Sequence, residues 1–235
     1  MSRVKVTSLT GRGLVRSGNQ DAVLAFDWIC QAAEPRVVEL AVDGPPPLLF
    51  AVADGLGGHN AGDLASRLAA GDLVARHPGW DTAEAMHAGL IAISENLHHT
   101  AGRAPATAGM RTTVAGLLLH GGGARVFNVG DSRVYRITDG YLEQLSVDHA
   151  SGRSMLTQAL GDAPGGLDPY VADTPAEGRY LLCTDGVHGV LDDRVLRRSC
   201  RLDDAAKLAE ALRDEAYAEG APDNLSLLVV DVAAG

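Results

Sequence analysis

The chain has 235 residues, of which 46% are hydrophobic and 21% charged. It can therefore build a sizeable core, and a wholly disordered protein is excluded. Thirty acidic against twenty basic residues give a formal net charge of −10, which disfavours nonspecific nucleic-acid binding because that depends on Lys and Arg neutralising phosphates.

Short runs rich in Val, Leu, Ile and Phe, bounded by turn residues, predict strands. They cover residues 36–42, 48–53, 112–119, 125–129, 132–138, 180–183 and 225–232. The first two are joined by DGPPP, which indicates a hairpin-like connection, and Gly121–Gly123 joins the third and fourth. Helical spacing of apolar residues predicts helices over 61–76, 82–99 and 203–219, with Thr82 and Asp203 as N-caps of the last two. This order favours an α+β fold in which packed sheets are covered by helices.

Three features bear on organisation and compartment. No linker rich in Ser, Gly and Pro divides the chain, so we expect a single domain over residues 1–235. The three cysteines, Cys30, Cys183 and Cys200, are an odd number without a CxxC pair, which favours a reducing cytoplasm. The first fifteen residues lack the apolar core of a signal peptide, and the apolar run 48–53 is too short to cross a membrane.

One pattern recurs at the ends of the predicted strands. Asp54, Asp131 and Asp185 each follow an apolar run and precede Gly or Ser, and Asp223 leads into the last strand. A single Asp-Gly pair is usually an ordinary turn, but four such positions together favour a functional site. Converging carboxylates repel one another unless protons or cations relieve them, and oxygen ligands suit hard ions such as Mg²⁺ or Mn²⁺.

Two further features are weaker when taken alone. The Gly-rich run after Asp54 is not a phosphate-binding Walker loop, because no Gly-Lys-Ser/Thr follows it. Arg16 precedes GNQDA, and a guanidinium is a natural anchor for a phosphoryl group, although a lone arginine is more often a surface residue.

Read in order, these segments resemble the metal-dependent Ser/Thr protein phosphatases of the 2C type, in their compact bacterial form. The matching pieces are RSGNQD at 16–21, FAVADGLGGH at 50–59, RTT at 111–113, VGDSR at 129–133, VDH at 147–149, LTQALG at 156–161, LCTDG at 182–186 and DN at 223–224. The fold that this resemblance implies is a four-layer αββα sandwich with two antiparallel sheets.

The resemblance also implies a centre of two Mn²⁺ or Mg²⁺ ions at one end of the sandwich. Asp54 is expected to bridge both ions, and Gly55 to offer its carbonyl oxygen to one of them. Asp185 and Asp223 are expected to hold the other ion, and Asp21 to act through water or through another ligand.

Arg16, Asp54 and Asp185 are the expected catalytic residues, with Arg16 also binding the substrate phosphate, and Asp131 is expected to serve a weak third ion. The implied activity is hydrolysis of phosphoserine and phosphothreonine in proteins by metal-activated water. The implied partners are phosphorylated proteins and a Ser/Thr kinase. The alternatives are a pseudophosphatase that binds phosphoproteins or a regulatory partner, a phosphatase for small esters, and a structural metal-binding module.

The chain departs from the family pattern in several places. Gln20 stands where many relatives have Glu, and Gly189 where they often supply an acid to a third ion. Leu56 occupies the place of a proposed general-acid His of eukaryotic members, whereas His59 belongs to the bacterial motif. Only six residues separate the VDH and LTQALG motifs, so the flap that borders the cleft in relatives is short here and should leave the cleft more open.

Overall fold

The computed structural model describes residues 2–56, 61–151 and 155–233. Its strands are β1 (Ser2–Gly11), β2 (Asp21–Ala25), β3 (Trp28–Cys30), β4 (Val38–Gly44), β5 (Leu48–Leu56), β6 (Arg111–Thr112), β7 (Val114–His120), β8 (Gly123–Val129), β9 (Arg133–Thr138), β10 (Tyr141–Gln144), β11 (Ala150–Ser151), β12 (Met155–Leu156), β13 (Tyr170–Thr174), β14 (Gly178–Cys183) and β15 (Leu225–Val232). Its α-helices are α1 (Gly62–Arg76), α2 (Ala83–Ala101), α3 (Asp185–His188), α4 (Asp193–Ser199) and α5 (Ala205–Ala218). None of the helices in these ranges is long and apolar enough to cross a membrane.

The strands form two large antiparallel sheets. The first sheet has the order β10-β9-β14-β15-β1-β4, and the second has the order β13-β8-β7-β5-β2-β3 with β6 paired to the end of β5. The strands β11 and β12 form a separate small hairpin.

The apolar core lies in three layers. Between the sheets pack side chains of both, including Phe50 and Tyr180. The helices α1 and α2 cover the outer face of the second sheet around Leu90 and Phe127, and α3 to α5 cover the outer face of the first sheet around Leu212. The predicted αββα sandwich is thereby confirmed.

The strand β5 shows why the sequence folds in this way. Its residues from Leu48 to Ala53 are all buried, because both faces of the second sheet are covered. Side chains alternate between the faces of a strand. Leu48 and Phe50 accordingly belong to the layer between the sheets, whereas Leu49 and Ala51 face the helices. A strand that is buried from Leu48 to Ala53 thus carries Asp54 near its end.

Two details of the sequence prediction are wrong. The strands β4 and β5 do not form a hairpin, because β4 pairs with β1 in the first sheet and β5 with β2 and β7 in the second. The three prolines of the connection lack backbone N–H groups, so this segment carries the chain between sheets instead of continuing a ladder. The N-cap of α5 is Asp204, which accepts from the Lys207 N–H at 3.0 Å, and not Asp203. The predicted Thr82 cap is confirmed.

Phe127 connects the second sheet to the helices that cover it. Its ring is fully buried and meets the Trp80 ring edge-on at a centroid distance of 5.7 Å. Its neighbour Gly116 has no room for a side chain, since a Cβ there would lie 2.2 Å from the ring. The Phe127 ring therefore packs closely against its neighbours.

We predict that Phe127→Ala lowers the free energy of unfolding by about 3–5 kcal/mol, because it leaves a cavity that the strands cannot close. Urea denaturation followed by circular dichroism measures this loss. Leu14→Ala, at a side chain that is 61% exposed, should change stability by less than about 0.5 kcal/mol. A similar small change for Phe127→Ala would contradict the packing described.

Candidate active site

Four aspartates meet at one end of the sandwich because of where their strands begin and end. Asp21 opens β2 and lies directly opposite Asp54, near the end of β5, in the antiparallel ladder. Asp185 comes two residues after β14, and Asp223 two residues before β15. Since β14 and β15 are antiparallel neighbours, the end of one lies beside the start of the other. The two sheets therefore bring two pairs of carboxylates to the same end.

A cleft of about 960 Å³ opens at this end. Its lining includes Arg16, Asp54, Gly55, Asp131, Asp185 and Asp223. Asp131 reaches it from the turn that carries the chain from β8 in the second sheet to β9 in the first. Of the predicted site residues, Asp21 alone does not line the cleft, and its side chain is fully buried.

Burial and neighbouring charges raise the pKa values of Asp21, Asp54 and Asp185. Burial is the chief cause of the raised pKa of Asp54, and the charges of Asp21, Asp185 and Asp223 add to it. Burial likewise raises the pKa of Asp185 to about 6, with Asp131 and Asp223 as the next causes. Like charges in a partly buried site favour a proton or a cation between them.

Asp21 is the most deeply placed member of the group. Burial raises its pKa to about 7, and the hydroxyl groups of Ser226 and Thr184 offset only part of that effect; Thr184 Oγ1 donates to its Oδ2 at 2.8 Å. Its Oδ1 has no partner among the described residues, while the nearby Ser226 hydroxyl bonds to Thr10 Oγ1 at 2.7 Å. An acceptor left unpaired in the interior is costly unless a proton or a cation meets it.

Arg16 lies at the rim and bonds to one of these carboxylates. Its Nη2 is 2.6 Å from Asp223 Oδ2, and its side chain is 54% exposed. This bond is the chief cause of the raised pKa of Arg16, to which the fields of Asp54 and Asp185 also contribute. The structure thus brings the predicted phosphate anchor onto a predicted metal ligand, and both roles remain predictions.

The oxygen atoms at this end of the sandwich are of the kind that binds a divalent cation, although the described side chains are not arranged as a complete set of ligands. Among residues 2–56, 61–151 and 155–233, no three Asp, Glu, His or Cys side chains are grouped closely enough to hold one ion. Arg16 already occupies one carboxylate oxygen of Asp223, at 2.6 Å. The unpaired oxygen of Asp21, the clustered carboxylates and the backbone at Gly55 are nevertheless the oxygen donors that hard cations take. Gly55 also packs tightly, since a Cβ there would lie 2.0 Å from Gly62 O.

Asn224 holds the loop that carries Arg16. Its Nδ2 donates to Arg12 O at 2.9 Å and to Gly18 O at 2.8 Å, and its Oδ1 accepts from Gln20 N at 2.8 Å. No role for Asn224 is predicted from the sequence. Its position after Asp223 in the DN motif was the only indication in the sequence that Asn224 matters. Its hydrogen-bond partners could not be predicted, because they lie about 200 residues earlier in the chain.

Hydroxyl and imidazole groups fix the other ligand-bearing segments. Thr113 Oγ1 accepts from Asp54 N at 3.1 Å, and Thr112 Oγ1 donates to Asp54 O at 2.8 Å. His188 Nε2 lies 3.0 Å from Asp131 O, which ties α3 to the turn between the sheets. Burial lowers the pKa of His188 to about 4, so its ring is neutral near neutral pH. Sequence reasoning missed these contacts because each one joins distant segments.

Comparison with known proteins places this architecture in a family. The sequence profile described as "Protein phosphatase 2C" matches residues 38–225. The chain belongs to the protein phosphatase 2C family. The serine/threonine protein phosphatase PstP of Mycobacterium tuberculosis is 28% identical over an alignment of 251 positions, gaps included. The alignment covers 97% of this chain and 45% of PstP. The chain therefore spans about half the length of that relative. The serine/threonine phosphatase stp of Listeria monocytogenes is 25% identical, covering 94% of this chain and 93% of its own.

Solved structures agree with this 2C assignment. The crystal structure of Mycobacterium tuberculosis PstP/Ppp superposes with a TM-score of 0.80 at 28% identity, covering 97% of this chain and 98% of that one. A PstP catalytic domain in complex with two manganese ions gives the same score and identity over the full length of both chains. PppA of Pseudomonas aeruginosa, described as a key regulatory component of T6SS, is 30% identical with a TM-score of 0.79 and 98% coverage of both chains.

The positions where this 2C chain departs from the family pattern are defined by their contacts. Gln20 O accepts from Gly55 N at 3.2 Å, and Leu56 lines the cleft. Gly189 N donates to Asp185 O at 2.7 Å, where α3 ends. The short flap is represented by the β11–β12 hairpin, which borders the cleft through Ala150 and Leu156. His59 lies outside the described residues.

The raised pKa values predict how stability depends on pH when a chelator is present. The folded-state pKa values of Asp21 and Asp185, about 7 and about 6, lie above the ordinary value, so the folded chain binds more protons than the unfolded one. Stability should therefore fall as the pH rises from about 4 to about 7. Saturating Mn²⁺ should flatten this dependence, because a bound cation takes the place of the protons.

Thermal denaturation across this pH range, with EDTA and with Mn²⁺, measures the effect. Asp21→Asn should reduce the slope in EDTA, whereas Asp81→Asn, at an exposed position on the connection before α2, should leave it unchanged. A midpoint in EDTA that rises with pH through this window would contradict the electrostatics described.

Proposed function

We propose that this chain is a metal-dependent phosphoprotein phosphatase that hydrolyses phosphoserine and phosphothreonine, with two Mn²⁺ or Mg²⁺ ions as cofactor. The observation that carries the proposal is the meeting of Asp21, Asp54, Asp185 and Asp223 beside Arg16, at one end of an αββα sandwich. Family membership and the manganese in the PstP relative support it. All the carboxylates required are present, which disfavours the pseudophosphatase alternative.

The ligand roles follow from where each group lies. Asp54 is central, since its carboxyl feels the charges of Asp21, Asp185 and Asp223, and this suits it to bridge two ions. Asp185 and Asp223 sit at adjacent strand ends and suit the second ion. Gly55 would offer backbone oxygen, and Asp21 would bind through water or orient another ligand. When bound, two divalent ions lower the pKa of a shared water and so supply a hydroxide-like nucleophile near neutral pH.

The chain's own residues bind and orient the substrate. Arg16 carries a permanent positive charge at the rim, and its planar guanidinium can donate two parallel hydrogen bonds to phosphoryl oxygens. Releasing Asp223 would free this fork for the phosphate. Asn224 keeps the Arg16 loop in place, and Thr112 and Thr113 fix the backbone of Asp54. The seryl or threonyl oxygen leaves with a proton from water or a nearby acid.

The biological setting follows from the same proposal. The substrates are phosphorylated proteins, and a Ser/Thr kinase that modifies them is the natural opposing partner. A reducing cytoplasm is favoured by the cysteines, since Cys30, Cys183 and Cys200 are all free thiols. We also propose that residues 1–235 act as one catalytic domain, and that Asp131 serves a weaker third ion.

The first test concerns metal ligation. Asp185→Asn should lower the rate of phosphate release from a phosphothreonine peptide with Mn²⁺ by at least about 100-fold. A neutral amide binds a metal ion more weakly than a carboxylate does, and this ion would activate the attacking water. The fold should survive, with a melting temperature in EDTA at least equal to that of wild type. Asp81→Asn serves as the matched control. A variant that retains most of the activity would remove Asp185 from the metal site.

The second test separates phosphate binding from metal binding. Arg16→Ala should raise the KM for aryl phosphate roughly tenfold or more, because a charged bidentate donor is lost. The Kd for Mn²⁺ should not rise, since removal of Arg16 frees the Asp223 carboxylate. Steady-state kinetics and a manganese titration measure the two constants, with Arg36→Ala as an exposed control. An unchanged KM would exclude Arg16 from substrate binding.

A further inference from the structure

Four arginines form a stripe beside the cleft, which we call the arginine stripe. Its members are Arg194, Arg197, Arg198 and Arg201, and all four are exposed. Their spacing of three, one and three residues places them on one side of α4 and of the turn after it. They supply four of the twenty basic residues of a chain whose net charge is −10, so the stripe concentrates positive charge on an otherwise acidic protein.

Among the described residues, most of this charge has no carboxylate partner. Arg198 pairs with Glu215 on α5. In the part of the chain that the structure describes, no carboxylate lies within 4.0 Å of Arg194, Arg197 or Arg201. Three guanidinium groups are therefore free to bind an anion.

The stripe continues directly from the active-site cleft. The cleft is lined on one side by residues 188–193, which lead into α4. A shallow depression of about 580 Å³ is lined by Asp193 and by all four arginines, so Asp193 belongs to both. A peptide that leaves the cleft on this side passes over the stripe.

A second depression lies on the far side of the stripe. It measures about 620 Å³ and lies between the β9–β10 hairpin and the end of α4, where Arg197, Arg201 and Tyr141 line it together with Asp139 and Asp203. The Tyr141 side chain is 75% exposed and offers an apolar and aromatic surface next to the charges. Arginine and tyrosine are both enriched at surfaces that bind other proteins.

We propose that the arginine stripe docks an acidic segment of the phosphoprotein substrate, a few residues away from the phosphorylated side chain. This proposal rests on the proposed phosphatase function. From Arg194 to Arg201 the stripe extends about 10 Å along the helix axis, which about three residues of an extended peptide cover. Guanidinium groups bind carboxylates through paired hydrogen bonds, and the uncompensated charge fits an anionic segment.

The experiment compares phosphothreonine peptides that carry either three Glu or three Gln residues a short distance from the phosphothreonine. Each pair of peptides is made twice, with the three residues on the N-terminal side and on the C-terminal side of the phosphothreonine. The variant R197Q/R201Q removes two stripe charges. The control R36Q/R103Q removes two exposed charges that lie outside the cleft and the stripe. All proteins are assayed with Mn²⁺, and p-nitrophenyl phosphate, which is too small to reach the stripe, reports basal activity.

Wild type and control should prefer the Glu peptide on one side of the phosphosite. The stripe variant should raise the KM for that peptide by about three- to tenfold. Its kcat for that peptide should not change, and neither should its KM values for the Gln peptide and for the aryl phosphate. The preference should fade at about 1 M salt, where screening acts within roughly 3 Å. Equal KM values for both peptides in wild type, or an equal loss in the control variant, would overturn the proposal.

If the proposed phosphatase function is wrong, no phosphate is released from any of the peptides or from p-nitrophenyl phosphate. Binding of the fluorescently labelled Glu peptide then decides the docking proposal, because stripe-dependent anisotropy supports it and stripe-independent anisotropy overturns it. Stripe-dependent binding of anionic vesicles or of a single-stranded oligonucleotide more tightly than of the Glu peptide would also overturn it.

Discussion

The structure depends on holding mutually repelling carboxylates together at one end of a β-sandwich. Asp21 and Asp54 face each other across one ladder, and Asp185 and Asp223 sit at neighbouring strand ends of the other sheet. Burial, with the neighbouring charges adding to it, raises the pKa values of Asp21, Asp54 and Asp185, which is the electrostatic consequence of that arrangement. The apolar layer between the sheets, which includes Phe50 and Tyr180, keeps the two sheets packed and so fixes the spacing of the charges.

Hydrogen bonds from neutral side chains do the local positioning. Thr112 and Thr113 grip the backbone of Asp54 from both sides, and Thr184 bonds to Asp21. Asn224 joins the two ends of the chain by holding the Arg16 loop. Neutral donors and acceptors suit this task because they fix geometry without adding charge to a site already crowded with it.

Charge is distributed unevenly over this end of the molecule. The floor of the cleft is acidic, whereas Arg16 at the rim and the arginine stripe beside it are basic. Such an arrangement attracts cations to the floor and anionic groups to the rim. A phosphorylated and acidic peptide needs both, so the proposed docking surface and the proposed catalytic centre complement each other.

The sequence by itself determined the aspartates at strand ends, the order of the 2C motifs, the α+β class and most strands that are continuously apolar; the αββα layering followed from the resemblance to the 2C family. The sequence did not predict seven strands, β1 to β3 and β10 to β13, or the short helices α3 and α4. The strand β1 alternates apolar with polar residues, and the other missed elements contain only two to seven residues. Only the tertiary structure decided that β4 and β5 separate into two sheets, that Arg16 bonds to Asp223, and that the arginine stripe borders the cleft. The physical reason is that strand pairing and ion pairs join residues far apart in the chain, and no local pattern of residue types encodes which distant partner is met.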